Sequence, residues 1–284
     1  MTQTKSRPLA LHQITAMTAD PAGLLRIAAQ AGCASVCLFT HVPQVAIPDA
    51  EAGAHTFPMV TAANLGTFRA AMAETGVGVS NIEFFPVAPG LNVDALAPAF
   101  AIGAEIGAAR IVTHIHDADD ARAVDTLGRL TTLAASHGLA TGLEFMGLTP
   151  PCASIQRAAW FVDQVARPEL GLAVDMLHLV RTGGTAADVA ALAPRYFSYG
   201  QLCDGRGLHR AADYLPEAMD RTLPGQGDFP LAEILAALPA AVPLDVEVPN
   251  ATANAGGDTA AMRDHAMAAV QAARALVDAA PATR

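Results

Sequence analysis

Short apolar runs and longer amphipathic stretches alternate along this chain of 284 residues, one pair about every 30 residues. A continuous apolar run of strand length is typical of a buried parallel strand. The amphipathic stretches have the apolar spacing of helices, and several end at a glycine, a common helix stop. The runs predict strands at residues 9–14, 34–39, 77–85, 109–115, 139–145, 170–174, 196–203 and 242–248. The stretches predict helices at residues 21–32, 61–75, 93–107, 119–137, 154–165, 186–193, 231–238 and 258–279.

Eight strand–helix units in a row favour one architecture over its main competitor. Strands that alternate with helices pair in parallel through right-handed crossovers, and eight units in ~250 residues predict a closed barrel. The competitor, an open doubly wound sheet, needs a glycine-rich turn after an early strand, and residues 9–20 contain no glycine. We therefore predict a single (β/α)8 TIM barrel with its active site at the carboxyl ends of the strands. No composition break marks a linker, so we assign residues 1–284 to one domain, with the barrel at 9–280 and a tail at 1–8.

Polar residues able to bind a hard cation stand at the ends of four successive predicted strands. They are Glu144, Asp175, Gln201 and Glu247. In a barrel these strand ends are neighbours, and three carboxylates so close together repel one another unless a cation neutralises them. Oxygen ligands of this kind favour magnesium or manganese. A lone glutamate at a strand end is more often a salt-bridge partner. The prediction therefore rests on all four residues standing at the same position of the strand–helix repeat, near the end of the strand.

Other polar residues near the strand ends are candidates for substrate contacts. His114 and His116 stand two residues apart at the end of the fourth predicted strand. We expect at most one of the two to line the pocket, and we assign that place to His114. His12 on the first strand and Glu83 near the end of the third are further candidates. For His12 the alternative is a hydrogen-bonded place in the core.

Arg221 precedes a turn-rich loop, Pro-Gly-Gln-Gly-Asp at residues 224–228, after the seventh strand. An arginine there suits a carboxylate, phosphate or hydroxyl group of a substrate. The alternative is a surface arginine paired with a neighbouring aspartate. Asp204, just after the strand, is expected to support the site from outside. The long loop at 40–58 is a weaker candidate for a functional segment. The glycines at 256–257, before the last helix, are a weaker candidate for a phosphate site, although an ordinary N-cap accounts for them.

The composition narrows the class of protein. Hydrophobic residues make up 52% of the chain and charged residues 15%, which excludes a disordered protein. The formal net charge of −10 disfavours nucleic acid as a partner, because phosphate binding needs a basic surface. No apolar run reaches ~18 residues, and the first residues lack the apolar core of a signal peptide. The four cysteines form no CxxC pair, so we expect reduced core residues of a cytoplasmic protein.

Five short motifs resemble those of the xylose-isomerase-like TIM barrels, a family also called sugar phosphate isomerases/epimerases. The motifs are Leu-Glu-Phe at 143–145, Val-Asp-Met-Leu-His at 174–178, Gln-Leu-Cys-Asp at 201–204, Leu-Pro-Gly-Gln-Gly-Asp at 223–228 and Asp-Val-Glu-Val at 245–248. The resemblance covers strands five to eight, and the first half of the chain follows only the general pattern. It implies one divalent metal ion held by Glu144, Asp175, Gln201 and Glu247, with His178 in contact with a substrate oxygen.

Gln201 departs from the family pattern, in which this position is often histidine. A neutral amide oxygen ligates a hard ion, so the departure argues against zinc and favours manganese or magnesium, with cobalt as a third option. Dehydratases of the family that act on 3-dehydroshikimate are similar in having glutamine there. For His178 the alternative is a core position between Leu177 and Leu179.

The resemblance implies a metal-dependent enzyme that acts on a small polyhydroxy carbonyl compound. In the first hypothesis it is an isomerase or epimerase working through a metal-stabilised enediolate, in which Glu144 and Glu247 exchange a proton with carbon from opposite sides and His178 assists. In the second it is a lyase or dehydratase that begins with the same proton abstraction. Glutamine at position 201 slightly favours this second hypothesis.

Two further classes are weaker alternatives. A nuclease on damaged DNA would need several zinc-binding histidines and a basic groove, and a non-catalytic sugar-binding barrel would have lost the carboxylates. We expect a sugar-like small molecule as the partner, with neither nucleic acid nor membrane, and the sequence is compatible with a homo-oligomer.

Overall fold

The computed structural model describes residues 7–42, 57–255 and 259–279, and eight strands within them form one closed barrel. The strands are β1 Leu9–His12, β2 Ser35–Phe39, β3 Gly78–Glu83, β4 Arg110–Thr113, β5 Ala140–Glu144, β6 Leu170–Asp175, β7 Phe197–Leu202 and β8 Leu244–Val246. Each strand pairs in parallel with the next, and β8 closes the barrel by pairing in parallel with β1. The predicted TIM barrel is confirmed, and closure rules out the open sheet.

Helices connect the strands. Those in the described residues are α1 Pro21–Gln30, α2 Leu65–Thr75, α3 Ala97–Glu105, α4 Asp120–Ser136, α5 Ile155–Val165, α6 Met176–Arg181, α7 Ala186–Ala190, α8 Leu215–Ala218, α9 Leu231–Ala237, α10 Ala251–Asn254 and α11 Thr259–Ala279. Asp20 begins α1 by accepting hydrogen bonds from two backbone N–H groups, and Gly76 ends α2 in the left-handed conformation. Gly76 is one of the helix-ending glycines of the sequence pattern.

The apolar pattern misses α6, α8 and α10 and misplaces several boundaries. The apolar run of β6 continues through α6 without a polar break, so nothing in the periodicity marks the change. The strand predicted at 9–14 ends at His12, because the 3-10 turn Gln13–Ala16 follows it. The helix predicted from residue 61 begins at Leu65, and the one predicted from 93 begins as the 3-10 turn Val93–Leu96.

One large side chain crosses the inside of the barrel. Tyr199 on β7 is fully buried and packs with Val112 and Ala173 in a cluster separate from the main core, which lies between the barrel and its helices. Gly142 on β5 leaves room for it, since a Cβ atom there would lie 2.8 Å from a ring carbon of Tyr199. A side chain from β7 thus reaches a strand that is not its neighbour.

Some predictions fall outside the described residues, including the tail at 1–6, most of the loop at 40–58 and the glycines at 256–257 with Asp258. These, and the assignment of one domain, stay predictions. The four cysteines are free and buried, as expected. No helix within the described ranges is long and apolar enough to cross a bilayer.

Candidate metal centre

The four residues predicted as metal ligands come together at the carboxyl end of the barrel. Glu144 and Asp175 are the last residues of β5 and β6, Gln201 is next to last in β7, and Glu247 directly follows β8. No more than 4% of any of the four is exposed. The strand ends therefore deliver three carboxyl groups and one amide into a single buried cluster.

Two of the carboxylates share a buried arginine. Arg221 Nη1 donates a hydrogen bond to Asp175 Oδ2 at 2.6 Å, and its Nη2 lies 3.0 Å from Glu247 Oε1. Only 6% of Arg221 is exposed, so the alternative of a surface arginine is wrong. Burial raises the pKa of Asp175, but its interactions with Arg221 and His178 together outweigh burial and hold that pKa below its usual value.

Glu144 lies between two histidines. His114 Nε2 is 3.0 Å from Glu144 Oε2, and His178 Nε2 is 3.4 Å from Glu144 Oε1. Burial lowers the pKa of His114 to about 4 and that of His178 to about 3, so both rings are neutral at neutral pH. His114 is buried against this carboxylate. Alternation could not have selected it over His116, because residues two apart share a face of a strand and β4 already ends at Thr113.

His12 and Glu83 form a buried pair at the ends of β1 and β3. His12 Nε2 lies 2.6 Å from Glu83 Oε2 and 3.9 Å from Glu247 Oε2. Burial lowers the pKa of His12, but Glu83 and Glu247 outweigh it and raise it to about 10. Cys37 stands beside this pair, close enough for the three to form a second group of potential ligands. Both predicted substrate contacts therefore adjoin the cluster, and His12 adds a positive charge to it.

The cluster holds more negative charge than its cations balance. Burial raises the pKa of Glu144 well above its usual value, and the nearby carboxylates of Asp175 and Glu83 raise it further. Burial also raises the pKa of Glu247 to about 8, although Arg221 and His12 act against it. Such carboxyl groups need either a proton or another cation.

A hard divalent cation fits the side chains present. Gln201 Nε2 donates a hydrogen bond to Glu247 Oε2, and Gln201 Oε1 is buried without a hydrogen-bond partner among the described residues. An unsatisfied buried acceptor costs ~1–3 kcal/mol, and a bound ion would satisfy this one. Carboxylate oxygens of Glu144 and Asp175 lie within 4.8 Å of each other. Carboxylate and amide oxygens are the ligands that magnesium and manganese prefer.

Asp204 holds the glycine-rich loop beside the cluster. Its Oδ1 accepts hydrogen bonds from the backbone N–H groups of Gly205 and Phe229, and its Oδ2 accepts from Gly225 and Gly227. The loop that follows Arg221 is thus folded around one carboxylate. This placement agrees with the expected supporting role of Asp204. The motif at 223–228 has a structural reason, because backbone N–H groups of two of its residues, Gly225 and Gly227, donate to Asp204.

A second layer of polar residues beneath the cluster was not predicted. Asn81 donates a hydrogen bond to Asp245 and accepts one from Arg110 at 2.8 Å, and the Arg110 guanidinium lies 5.4 Å from the Tyr199 ring centre. Burial raises the pKa of Asp245 to about 7. Asn81, Tyr199 and Asp245 each stand two positions before a predicted site residue. Strand alternation would therefore have found them.

Tyr214 is a further neighbour of the cluster that sequence reasoning missed. Its phenol oxygen lies 2.9 Å from His178 Nδ1, and it comes from the long connection after β7. No periodicity or motif marks it, because its place depends on how that connection folds back.

Several solved structures share this fold. The IolI protein with a bound zinc atom superposes with a TM-score of 0.76 at 15% identity, covering 96% of this chain and 99% of that one. D-allulose 3-epimerase from Methylomonas sp. gives a TM-score of 0.67 at 16% identity, covering 97% of this chain and 100% of that one. Likeness at such identities shows the fold alone.

A third structure is longer than this chain. It is a xylose isomerase-like TIM barrel/4-hydroxyphenylpyruvate dioxygenase fusion protein, with a TM-score of 0.74 and 20% identity. The match covers 94% of this chain but 42% of the fusion protein. Comparison with curated proteins gave no match.

A family model supplies the assignment that these structures leave open. The model described as xylose isomerase-like TIM barrel matches residues 25–274, which is most of the chain. It also covers strands five to eight, where the motifs and the buried cluster lie. The chain therefore belongs to the xylose isomerase-like TIM-barrel family.

Proposed function

We propose that this protein is a divalent-metal-dependent isomerase or epimerase of a small polyhydroxy carbonyl compound. The observation that carries the proposal is a buried cluster at the carboxyl ends of β5 to β8. It consists of three carboxyl groups and one amide oxygen that has no hydrogen-bond partner among the described residues. Membership of the xylose isomerase-like family and the sugar epimerase among the similar structures support it.

The metal ligands in this proposal are Glu144, Asp175, Gln201 and Glu247. Manganese or magnesium suits this all-oxygen set best, and cobalt is the next choice. When bound, such an ion supplies Lewis-acid stabilisation of negative charge on substrate oxygens.

The protein's own side chains carry the proton in this proposal. Glu144 and Glu247 lie on β5 and just after β8, so they approach a substrate in the barrel mouth from different strands. One removes a proton from the carbon beside the carbonyl group, and the other returns it. His178 donates a hydrogen bond to a substrate oxygen, where negative charge develops.

The remaining predicted contacts fall into two groups. His114, His12 and Glu83 line the cluster and are placed to contact substrate hydroxyl groups. Arg221 is already engaged by Asp175 and Glu247, so we assign it mainly to keeping Asp175 ionised and Glu247 oriented.

The second candidate is a lyase that removes water after the same proton abstraction, as in dehydratases of 3-dehydroshikimate. Gln201 at the third ligand position favours this candidate. That substrate carries a carboxylate, and the Arg221 guanidinium is already shared by two carboxylates, so it offers little free charge to a third. We therefore place the isomerase or epimerase first.

A substrate screen in heavy water tests both candidates. Protein stripped by a chelator is reloaded with magnesium, manganese or cobalt and mixed with ketoses, inososes or 3-dehydroshikimate, with proton NMR as the readout. We expect turnover of a ketose or inosose that requires the added ion, with deuterium from solvent in the product. Conversion of 3-dehydroshikimate would establish the lyase instead. Full turnover by the stripped protein would overturn the metal dependence, and complete retention of the substrate hydrogen would overturn the glutamate mechanism.

A further inference from the structure

Tyr214 joins two sides of the candidate site through one oxygen atom. It directly precedes α8 and is 3% exposed. Its phenol oxygen lies 2.8 Å from the backbone nitrogen of Gly147 and 2.9 Å from His178 Nδ1. Gly147 follows β5 and His178 lies on α6, so the tyrosine connects the strand end of one predicted ligand to the helix after another.

The protons at this junction can be assigned from hydrogen-bonding capacity alone. The amide of Gly147 can only donate, so the phenol oxygen accepts that bond. The phenol proton then needs an acceptor, and among the described contacts of this hydroxyl His178 Nδ1 is the group in reach. In the reverse arrangement, with Nδ1–H donating to the oxygen, the buried phenol proton would be left unpaired, which is unfavourable. We propose that Tyr214 fixes His178 in the tautomer that carries its proton on Nε2.

This tautomer decides what His178 can do. Nε2 is the nitrogen that faces the cluster, 3.4 Å from Glu144 Oε1. With a proton there, His178 is a hydrogen-bond donor and has no lone pair with which to bind a metal ion or accept a proton. The contact to Glu144 is long enough for the N–H group to turn to a substrate oxygen instead. This role in turnover rests on the proposed function, whereas the position of the ring proton does not.

A partly buried ion pair connects the segment of Tyr214 to the helix of His178. Arg181, three residues after His178 on α6, is fully buried, and its Nε donates to Glu217 Oε2 at 2.6 Å. Its Nη1 also donates to the carbonyl oxygen of Gly207 at 3.0 Å. Glu217 lies on α8, and α8 begins directly after Tyr214. The short helix α6 therefore carries the His178 imidazole and, through Arg181, also holds the segment that contains Tyr214. Tyr214 is therefore a positioning residue that acts through His178.

NMR of histidine labelled with nitrogen-15 tests the tautomer in the full chain loaded with magnesium, without any substrate. The chain has nine histidines, and the His178 signals are assigned by their loss in His178→Gln. We expect the wild-type protein to show the attached proton on Nε2 and an unprotonated Nδ1. Tyr214→Phe should shift the ring toward a mixture of the two tautomers. Tyr196→Phe is the matched control. Tyr196 lies just before the start of β7 and its hydroxyl donates to Asp163, so this variant should leave the His178 signals unchanged.

Two results would overturn the proposal. One is a proton on Nδ1 in the wild-type protein, and the other is an unchanged tautomer in a folded Tyr214→Phe variant. Thermal unfolding of both tyrosine variants checks the fold, and the wild-type spectrum decides the tautomer even if Tyr214→Phe does not fold. For a substrate found in the screen, Tyr214→Phe should lower kcat by about tenfold, the scale of one well-placed hydrogen bond, with little change in KM. The expected spectra together with a screen that finds no substrate would support the tautomer and count against the proposed function alone.

Discussion

Gln201 differs from a histidine in two ways that matter at the scale of a single residue. Its amide nitrogen donates to Glu247, while its oxygen has no partner in the described part of the chain. One side chain thus orients a neighbouring ligand and offers a hard donor atom. An imidazole would present one nitrogen to the ion and favour softer metals. The strand-end position of Gln201 was predictable from alternation, but the direction of its amide depends on Glu247 from the adjacent strand.

Removing one ligand should weaken metal binding. In Glu144→Gln and Asp175→Asn an anionic oxygen is replaced by a neutral amide, and we expect the affinity for manganese to fall by at least ~10-fold, since even partners outside the ligand shell contribute ~10–100-fold. Calorimetric titration measures the change. Glu105→Gln, which alters an exposed pair with Arg69, should leave the affinity unchanged. Wild-type affinity in both ligand variants would show that these residues do not share a metal.

Arg221→Ala should destabilise the protein even without metal. The variant leaves Asp175 and Glu247 buried without their common cation, and breaking a buried ion pair from one side costs ~3–5 kcal/mol. Urea unfolding of the metal-free protein measures the loss. Arg69→Ala removes an arginine from an exposed pair with Glu105 and should cost less than ~1 kcal/mol. Equal, small effects in the two variants would mean that Arg221 is not needed to compensate the buried carboxylates.

At the scale of elements, two connections build most of the site beyond the strand ends. The chain after β6 turns directly into α6, where the backbone N–H of His178 donates to Asp175 Oδ1 at 2.8 Å and so begins the helix. The connection after β7 brings Tyr214, Arg221 and the glycine-rich loop. The sequence predicts the strands that these connections follow, because strands have a period. It does not predict how the connections fold, because their positions depend on contacts with residues far along the chain.

Asp204→Asn should loosen the glycine-rich loop while leaving the barrel intact. An asparagine has one acceptor oxygen in place of two and points an N–H group at donors, so at least two of the four backbone bonds to Asp204 lose their acceptor. We expect faster hydrogen exchange at residues 225–229, read by mass spectrometry, with unchanged exchange in β5 and β6. Asp228→Asn, in the same loop but accepting from Gly207 alone, is the control and should change exchange much less. Uniformly faster exchange across the barrel would contradict a local role for Asp204.

For the whole molecule, the metal should add stability without being needed for folding. None of the four predicted metal ligands belongs to the main apolar core of the described residues. Chelation should therefore leave the far-ultraviolet circular dichroism unchanged. Adding manganese at about a hundred times its dissociation constant should raise the free energy of unfolding by ~2.7 kcal/mol, which raises the melting temperature. Loss of secondary structure on chelation would contradict this and would make the ion a structural one.

The closed barrel itself was predictable from eight repeats, and the convergence of Glu144, Asp175, Gln201 and Glu247 followed from it. What the repeats do not predict is the burial of Arg221 and its two partners. That pairing is set by the path of a loop, for which the apolar pattern has no signal.

The pair formed by Gly142 and Tyr199 has a consequence for how this chain can change. A methyl group at residue 142 would collide with the ring, so a substitution there is tolerated only if residue 199 becomes smaller as well. A smaller residue at 199 alone would leave an unfilled space beside Val112 and Ala173. Tyr199 therefore fills the space that Gly142 leaves, and we expect residues 142 and 199 to be substituted only together.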